Sequence, residues 1–348
     1  MSKLIENPKT YSGRELENIF FRPMLTGPDA LDLGIKVMYN MPVPTTLNFW
    51  RRSGDILQPY GTGWTGSTAA DRYQKSIEMS KVKAEIGYSA ADYFSMVFEL
   101  ITNRADVNLD DLSGTELETA ETELFRQAIA ESIRATMWLG NTDRSNGSLA
   151  TFNGLLKAIH ADKDEMATTT FTASNISDDG FVESMLRQML ADAPDELRAL
   201  KSEGQLAFFC SSDIYAAYEN SLDSVVLDAA YEAKQNGRVG LSMRGIPVID
   251  LQLGKYLSET SDLPRSFAIL TDRRNLALAV NTSDFPGTEI RMWYNPDLME
   301  NRQRAVFMAG CDYLLPELVS YAHIEYLWRS KLSTLRAAPL SGESPHLK

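Results

Sequence analysis

Only two cysteines and three histidines occur among 348 residues. Cys210 and Cys311 lie far apart in unrelated apolar surroundings with no C-x-x-C spacing, which excludes a disulfide framework and a zinc cluster and fits a reducing cytoplasm. Basic residues are in deficit: 34 Lys and Arg against 47 Asp and Glu leave a formal charge of -13, which argues against a broad phosphate-binding face. No uninterrupted apolar stretch is long enough to cross a bilayer, and "MSKLIENPKTYSG" lacks the apolar run of a signal peptide. The expectation is a chain made and kept in the cytoplasm, with no membrane partner. Internal repeats and low-complexity blocks are lacking as well. What is present is a 44% hydrophobic content, ample for one large core or two smaller ones.

The stretch "GTGWTG", residues 61 to 66, fits the G-x-G-x-x-G pattern of a dinucleotide-binding turn. That turn needs a buried strand before it and a helix after it, because free N–H groups at the helix start hold the phosphates. Here "DILQPYG" precedes it, with Pro59 and Tyr60 where a buried Val/Ile run belongs. After it, Ile77 and Met79, then Val82, Ala84, Ile86 and Tyr88, alternate with polar residues, and the one-step slip predicts a bulged strand. An α/β nucleotide-binding enzyme therefore fails on both flanks. A long two-stranded ribbon with Tyr60 and Trp64 on its tip fits better. A ribbon of that kind is marginal alone in water, so it implies a neighbouring surface to receive it.

Elsewhere the periodicity predicts an α+β chain. A short helix is capped by Ser12 and Glu15 and stopped by Pro23, and an extended arm follows it. Another short helix begins near Ser89. The strongest helix runs over 115–139, with Leu117, Leu124, Phe125, Ala128, Ile129, Ile133 and Met137 as its stripe and Gly140 as its stop. Beyond residue 160 come helix "GFVESMLRQMLADA", strand "QLAFFCS", helix "DIYAAYENSLD" and hairpin "VGLSMRGIPVIDL". An apolar, strand-rich segment bent at Pro316 closes the pattern, and residues 330–348 read as a loose tail.

Four patterns invite a catalytic or ligand reading. "GYSAA" has the context of a nucleophile elbow, but its fifth position is Ala and histidines are scarce, so Ser89 reads as a helix cap. Asp106, Asn108 and Asp110 match a calcium loop until Asp111 replaces the turn glycine and Leu117 the bidentate Glu. His323 and Glu325 read as a surface pair with no further metal ligand in reach. Lys75, Lys81, Lys83 and Arg72 make the ribbon locally basic, which a solvated face or an acidic neighbour explains.

The order of arm, glycine-bearing ribbon, long helix, α/β region and closing strands resembles the major capsid proteins of tailed bacteriophages, those with the Hong Kong ninety-seven fold. "WLGNTDRSNGSLATFNGLLKAI", "LAFFCSSDIYAAYENSL", "MRGIPVIDL", "AILTDRRNLALAV" and "DYLLPELVSYAHI" carry the likeness, over about residues 30 to 325. The resemblance implies an N-terminal arm (1–50), an extended loop (51–88), a peripheral domain (89–161 and 284–324) with spine helix 115–139, an axial domain (162–283) and a C-terminal tail (325–348). It places Gly61, Gly63 and Gly66 in the loop's mobile part, Tyr60, Trp64 and Arg72 at inter-subunit contacts, and Gly245 with Pro247 in the axial turn. It implies no catalytic residue, metal or cofactor. Expected partners are other copies in hexamers and pentamers, a portal, a separate scaffolding protein, decoration proteins, and packaged DNA that is enclosed without being tightly held. The expected location is the virion, after assembly in the bacterial cytoplasm. An encapsulin-like compartment is the alternative within the same fold.

Overall fold

One strand organises the first half of the architecture. β12 (Glu300–Tyr313) alternates buried with partly or fully exposed residues as far as Phe307 and is then buried almost continuously, the signature of a strand that passes from a half-covered sheet into a core. In the computed structural model, which describes residues 27–39, 45–52, 62, 70–89, 116–145, 147–173, 176, 178, 180–224, 240–258, 260–281, 291–298 and 300–326, the chain divides into two units. The first draws on Met1–Leu155 and Leu276–Leu314, the second on Leu156–Asn275 and Leu315–Lys348.

In the first unit β12 pairs antiparallel with β4 (Ser80–Ser89) along one edge. Along the other it meets β11 (Arg291–Asn295) and β10 (Leu276–Asn281), and β1 (Lys36–Tyr39) adds to β10 in parallel. β2 (Thr45–Arg52) and β3 (Ala70–Ile77) form a separate two-stranded ribbon. The helix α1 (Glu116–Leu139) ends in this unit. Its last turns are buried on every side, with Ala135, Met137, Trp138 and Leu139 all at or below 1% exposure, so the stripe read from the sequence understates the burial there. Arg134 is buried too, and its guanidinium donates two 2.8 Å hydrogen bonds to the carboxylate of Glu131.

The helix stops in a tight crossing. Gly140 donates to the Thr136 carbonyl at 2.7 Å, Gly154 donates to the Gly140 carbonyl at 2.8 Å, and Arg144 reaches back to the Leu139 carbonyl at 3.0 Å. These bonds occupy carbonyls that a helix end otherwise leaves open.

The second unit is a six-stranded mixed sheet in the order β5 (Ala167–Ala173), β13 (Val319–Tyr326), β9 (Phe267–Asp272), β6 (Leu206–Cys210), β8 (Ile246–Asp250), β7 (Ser242–Met243). Every residue of β6 and β9 is buried, so both faces of the sheet centre are covered. The short helix α2 (Leu155–Ala161) leads into this unit. Helix α3 (Phe181–Asp192) supplies Val182, Met185, Leu186 and Met189 to the core, the spacing of one helical face. Helix α5 (Ser212–Ser224) adds Ile214 and Tyr218, and the short helices α4 (Asp195–Ala199) and α6 (Gly254–Leu257) complete the set described in this unit.

Several expectations need correction. The apolar run over 77–88 is not one bulged strand: it is the end of β3 and all of β4, with Glu78 and Met79 as the link, so the one-step slip marks a change of pairing partner. Among the described residues the ribbon is formed by β2 and β3 alone, and β4 belongs to the larger sheet. Residues 276–281 fall in the first unit and 315–326 in the second, since β10 bonds to β12 and β13 bonds to β5 and β9. Ser89 is the last residue of β4, opposite Glu300. The helix expected near 12–22, residues 90–101 of the next one, residues 106–115 of the calcium-like stretch 106–117 and the tail 330–348 lie outside the described residues.

Candidate assembly elements

The ribbon is built by simple chemistry. β2 and β3 pair from Thr45 with Ile77 at the root to Arg52 with Ala70, which sets Arg72 opposite Trp50 and Tyr73 opposite Phe49. Its root is fixed to the sheet of the first unit. Ile77 is fully buried, and Lys75 Nζ lies 3.2 Å from Asp312 Oδ2 and 4.1 Å from the centre of the Tyr313 ring. The acidic neighbour expected for this lysine is thus its own chain's β12. Gly310 completes the joint, because the Glu78 carbonyl oxygen occupies the space that a Cβ there would need.

This lock is testable. Lys75→Met keeps the aliphatic stem but removes the ion pair and the contact with the ring, in a half-buried setting, and should cost about 1 to 2 kcal/mol of stability in urea unfolding. Lys75→Arg should restore most of it. Unchanged stability in the methionine variant would dismiss the lock.

Of the residues expected at inter-subunit contacts, Arg72 lies on β3. Tyr60, Gly61, Gly63, Trp64 and Gly66 belong to the stretch between β2 and β3 and lie outside the described residues. Gly245 and Pro247 belong to the second unit. Met243 pairs with Ile246, which leaves Arg244 and Gly245 as a two-residue turn with φ of 51° and 81°. Positive φ at both positions is the geometry of the tight hairpin turn whose twist matches the strands, and Gly adopts it without strain. Met243 and Ile246 are buried beneath it, and the Tyr218 hydroxyl donates to the Ser242 carbonyl at 3.0 Å, so the turn projects from a firm base.

A further surface escaped the sequence reading. Trp293 on β11, in register with Arg302, is exposed, and so is Leu298 in the turn that follows. Along the same outer face Arg304 pairs with Glu85 at 3.4 Å, Lys83 with Glu85 at 2.9 Å and Arg302 with Glu300 at 3.3 Å. The Lys83 hydrogen bond holds the Glu85 carboxyl below its usual range. The available signal was "RMWYNPDL", an aromatic strand running into a Pro-Asp turn.

Chemistry of other kinds finds little support. Both cysteines are free and buried, and burial pushes each thiol far above its ordinary range, so neither is a ready nucleophile. Among the described residues no group of three or more His, Cys, Asp or Glu gathers to hold a metal ion, and no helix is long and apolar enough to cross a membrane.

No protein-family model and no curated protein matches this chain. Solved structures do. The chain is similar to the capsid of Myoviridae phage XM1, with a TM-score of 0.54 and 12% identity over 92% of this chain and 100% of that one. It is similar to a chain of the satellite phage P4 procapsid that includes the size determination protein, with a TM-score of 0.53 and 11% identity over 93% and 94%. The capsid of a native GTA particle gives 0.51 and 14% over 93% and 95%. The fold is therefore that of the Hong Kong ninety-seven-type shell proteins.

Proposed function

We propose that this chain is the major capsid protein of a tailed phage, assembling as hexamers and pentamers into an icosahedral head around double-stranded DNA. The observation that carries this reading is coverage: the likeness to capsid chains takes in more than nine-tenths of both partners. In this reading the second unit is the axial domain, with Gly245 and Pro247 in the turn nearest the ring centres, and the first unit is the peripheral domain with α1 as its spine. Portal, scaffolding and decoration proteins are partners by the same inference.

Rings of five and six copies use head-to-tail contacts, which demand an element able to reach neighbours at slightly different angles. The ribbon supplies it: firm at Lys75 and Ile77, and carrying three glycines beyond β2. Trp64 and Tyr60 on a neighbour would each contribute a few kcal/mol, at ~25 cal/mol per Å² of apolar area. The net charge of -13 suits a wall that must not bind incoming phosphate.

Electron microscopy of the chain expressed with its neighbouring genes tests the proposal. Closed shells enclosing DNA are the expected result; shells filled with protein cargo would favour an encapsulin-like compartment, and a solitary subunit at high concentration would end both readings. Trp64→Ala should leave the melting of the free subunit unchanged while shells fail to form or come apart at lower temperature. Normal, equally durable shells from that variant would remove the tip's role as an anchor.

A further inference from the structure

Two of the three histidines, far apart in sequence, meet inside the second unit. His323, expected at the surface, is buried on β13, and His160 near the end of α2 lies with its ring centre 5.4 Å away at a steep angle. Tyr321 stacks on His323, and its hydroxyl lies 3.2 Å from His160 Nδ1. On the other side His323 Nε2 is 3.4 Å from Thr170 Oγ1 of β5 and 3.8 Å from Glu325 Oε1. His323 Nδ1 is buried and has no hydrogen-bond partner.

This arrangement suits neutral rings and tolerates a charged one poorly. A proton on His323 Nδ1 would place a charged N–H where nothing accepts it, which a buried site strongly penalises. The charged groups set against the pair are few. Lys163, in the turn after α2, disfavours a positive charge on either ring, and His160 disfavours one on His323. Glu325 opposes them, but it is exposed and water-screened. Tyr321 stays neutral, because burial pushes its phenol up.

We propose that the His160–Tyr321–His323 cluster is an acid-labile latch, which holds the end of α2 on β13 while both rings are neutral and releases it when one is charged. Burial, followed for His160 by Lys163 and for His323 by His160, pushes both imidazoles below their ordinary 6.5. The unfolded or opened chain therefore takes up protons at a pH where the closed chain does not. Stability is complete above about 6.5 and is lost as pH falls from there toward the lowered values of the folded state.

The test is urea unfolding of the full chain between about pH 7.5 and about pH 5.5, where histidines dominate titration. Each ring that stays neutral only in the folded state should raise the unfolding constant by up to about tenfold per pH unit. His323→Phe, which keeps the stack on Tyr321, and His160→Gln should each flatten this dependence, while His346→Gln should leave it intact. Hydrogen exchange of the parent, corrected for its intrinsic pH dependence, should rise on acidification over residues 156–161 and 319–325 before the rest of the second unit. Equal pH dependence in the parent, His323→Phe and His160→Gln would overturn the latch. So would exchange over those segments that ignores pH, which decides the matter even if a variant does not fold.

Discussion

Gly310→Ala is expected to destabilise the chain by about 3 kcal/mol or more, the upper range for forcing an atom into a packed site. The new Cβ would stand 2.1 Å from the Glu78 carbonyl oxygen and 3.1 Å from the Met79 Cα. Neither can step aside easily. Ile77 is fully buried on one side of the link, and on the other Ser80 is already paired with Ala309. The collision is therefore between backbone segments, where no rotamer change gives relief. Urea unfolding reads the effect. A cost below about 1 kcal/mol would mean that the joint between ribbon and sheet is loose. Gly87→Ala on the same sheet is the natural control, since its Cβ would meet only side-chain atoms of Glu300 and Arg302 at ordinary distances of 3.7 and 3.8 Å. It should stay within about 0.5 kcal/mol of the parent.

Gly154→Ala should cost a comparable amount, also about 3 kcal/mol. Its Cβ would lie 2.5 Å from the Gly140 nitrogen, 2.8 Å from the Thr136 carbonyl oxygen and 2.9 Å from the Trp138 carbonyl carbon, inside the crossing that ends α1. Gly140 faces the same crossing from the other strand of chain, with the Phe152 carbonyl oxygen 2.2 Å from its absent Cβ. Relief would require breaking the bond from Gly154 to Gly140 or bending the buried end of the helix. Because Met137, Trp138 and Leu139 are buried there, a displaced helix end should also disturb tryptophan fluorescence in the native state. A variant with parental stability and an unaltered spectrum would show that the crossing yields.

Much of the scaffold was legible because it depends on local rules. The long helix followed from a 3.6-residue stripe and a glycine stop, and α3, β6, α5 and the β7–β8 hairpin followed from short-range pattern and turn chemistry. What escaped was pairing between distant segments. β4 bonds to β12, and β13 takes its place between β5 and β9, across separations that no local window spans. The same limit explains the single bulged strand expected over 77–88. His323 was misjudged because a strand's alternation tells which residues share a face, but not what covers it; His160 arrives from another part of the chain. At the candidate assembly elements, the hairpin in "VGLSMRGIPVIDL" was readable from short-range pattern, whereas the Lys75 lock needed Asp312 and Tyr313 to be brought alongside.

β13 is the last strand described, yet it sits inside its sheet, bonded to β5 on one side and to β9 on the other. During synthesis, the second unit consequently cannot close before the ribosome has passed residue 326. A polypeptide truncated before β13 thereby lacks the strand that joins β5 to β9, so completeness of the second unit is written into the order of the strands.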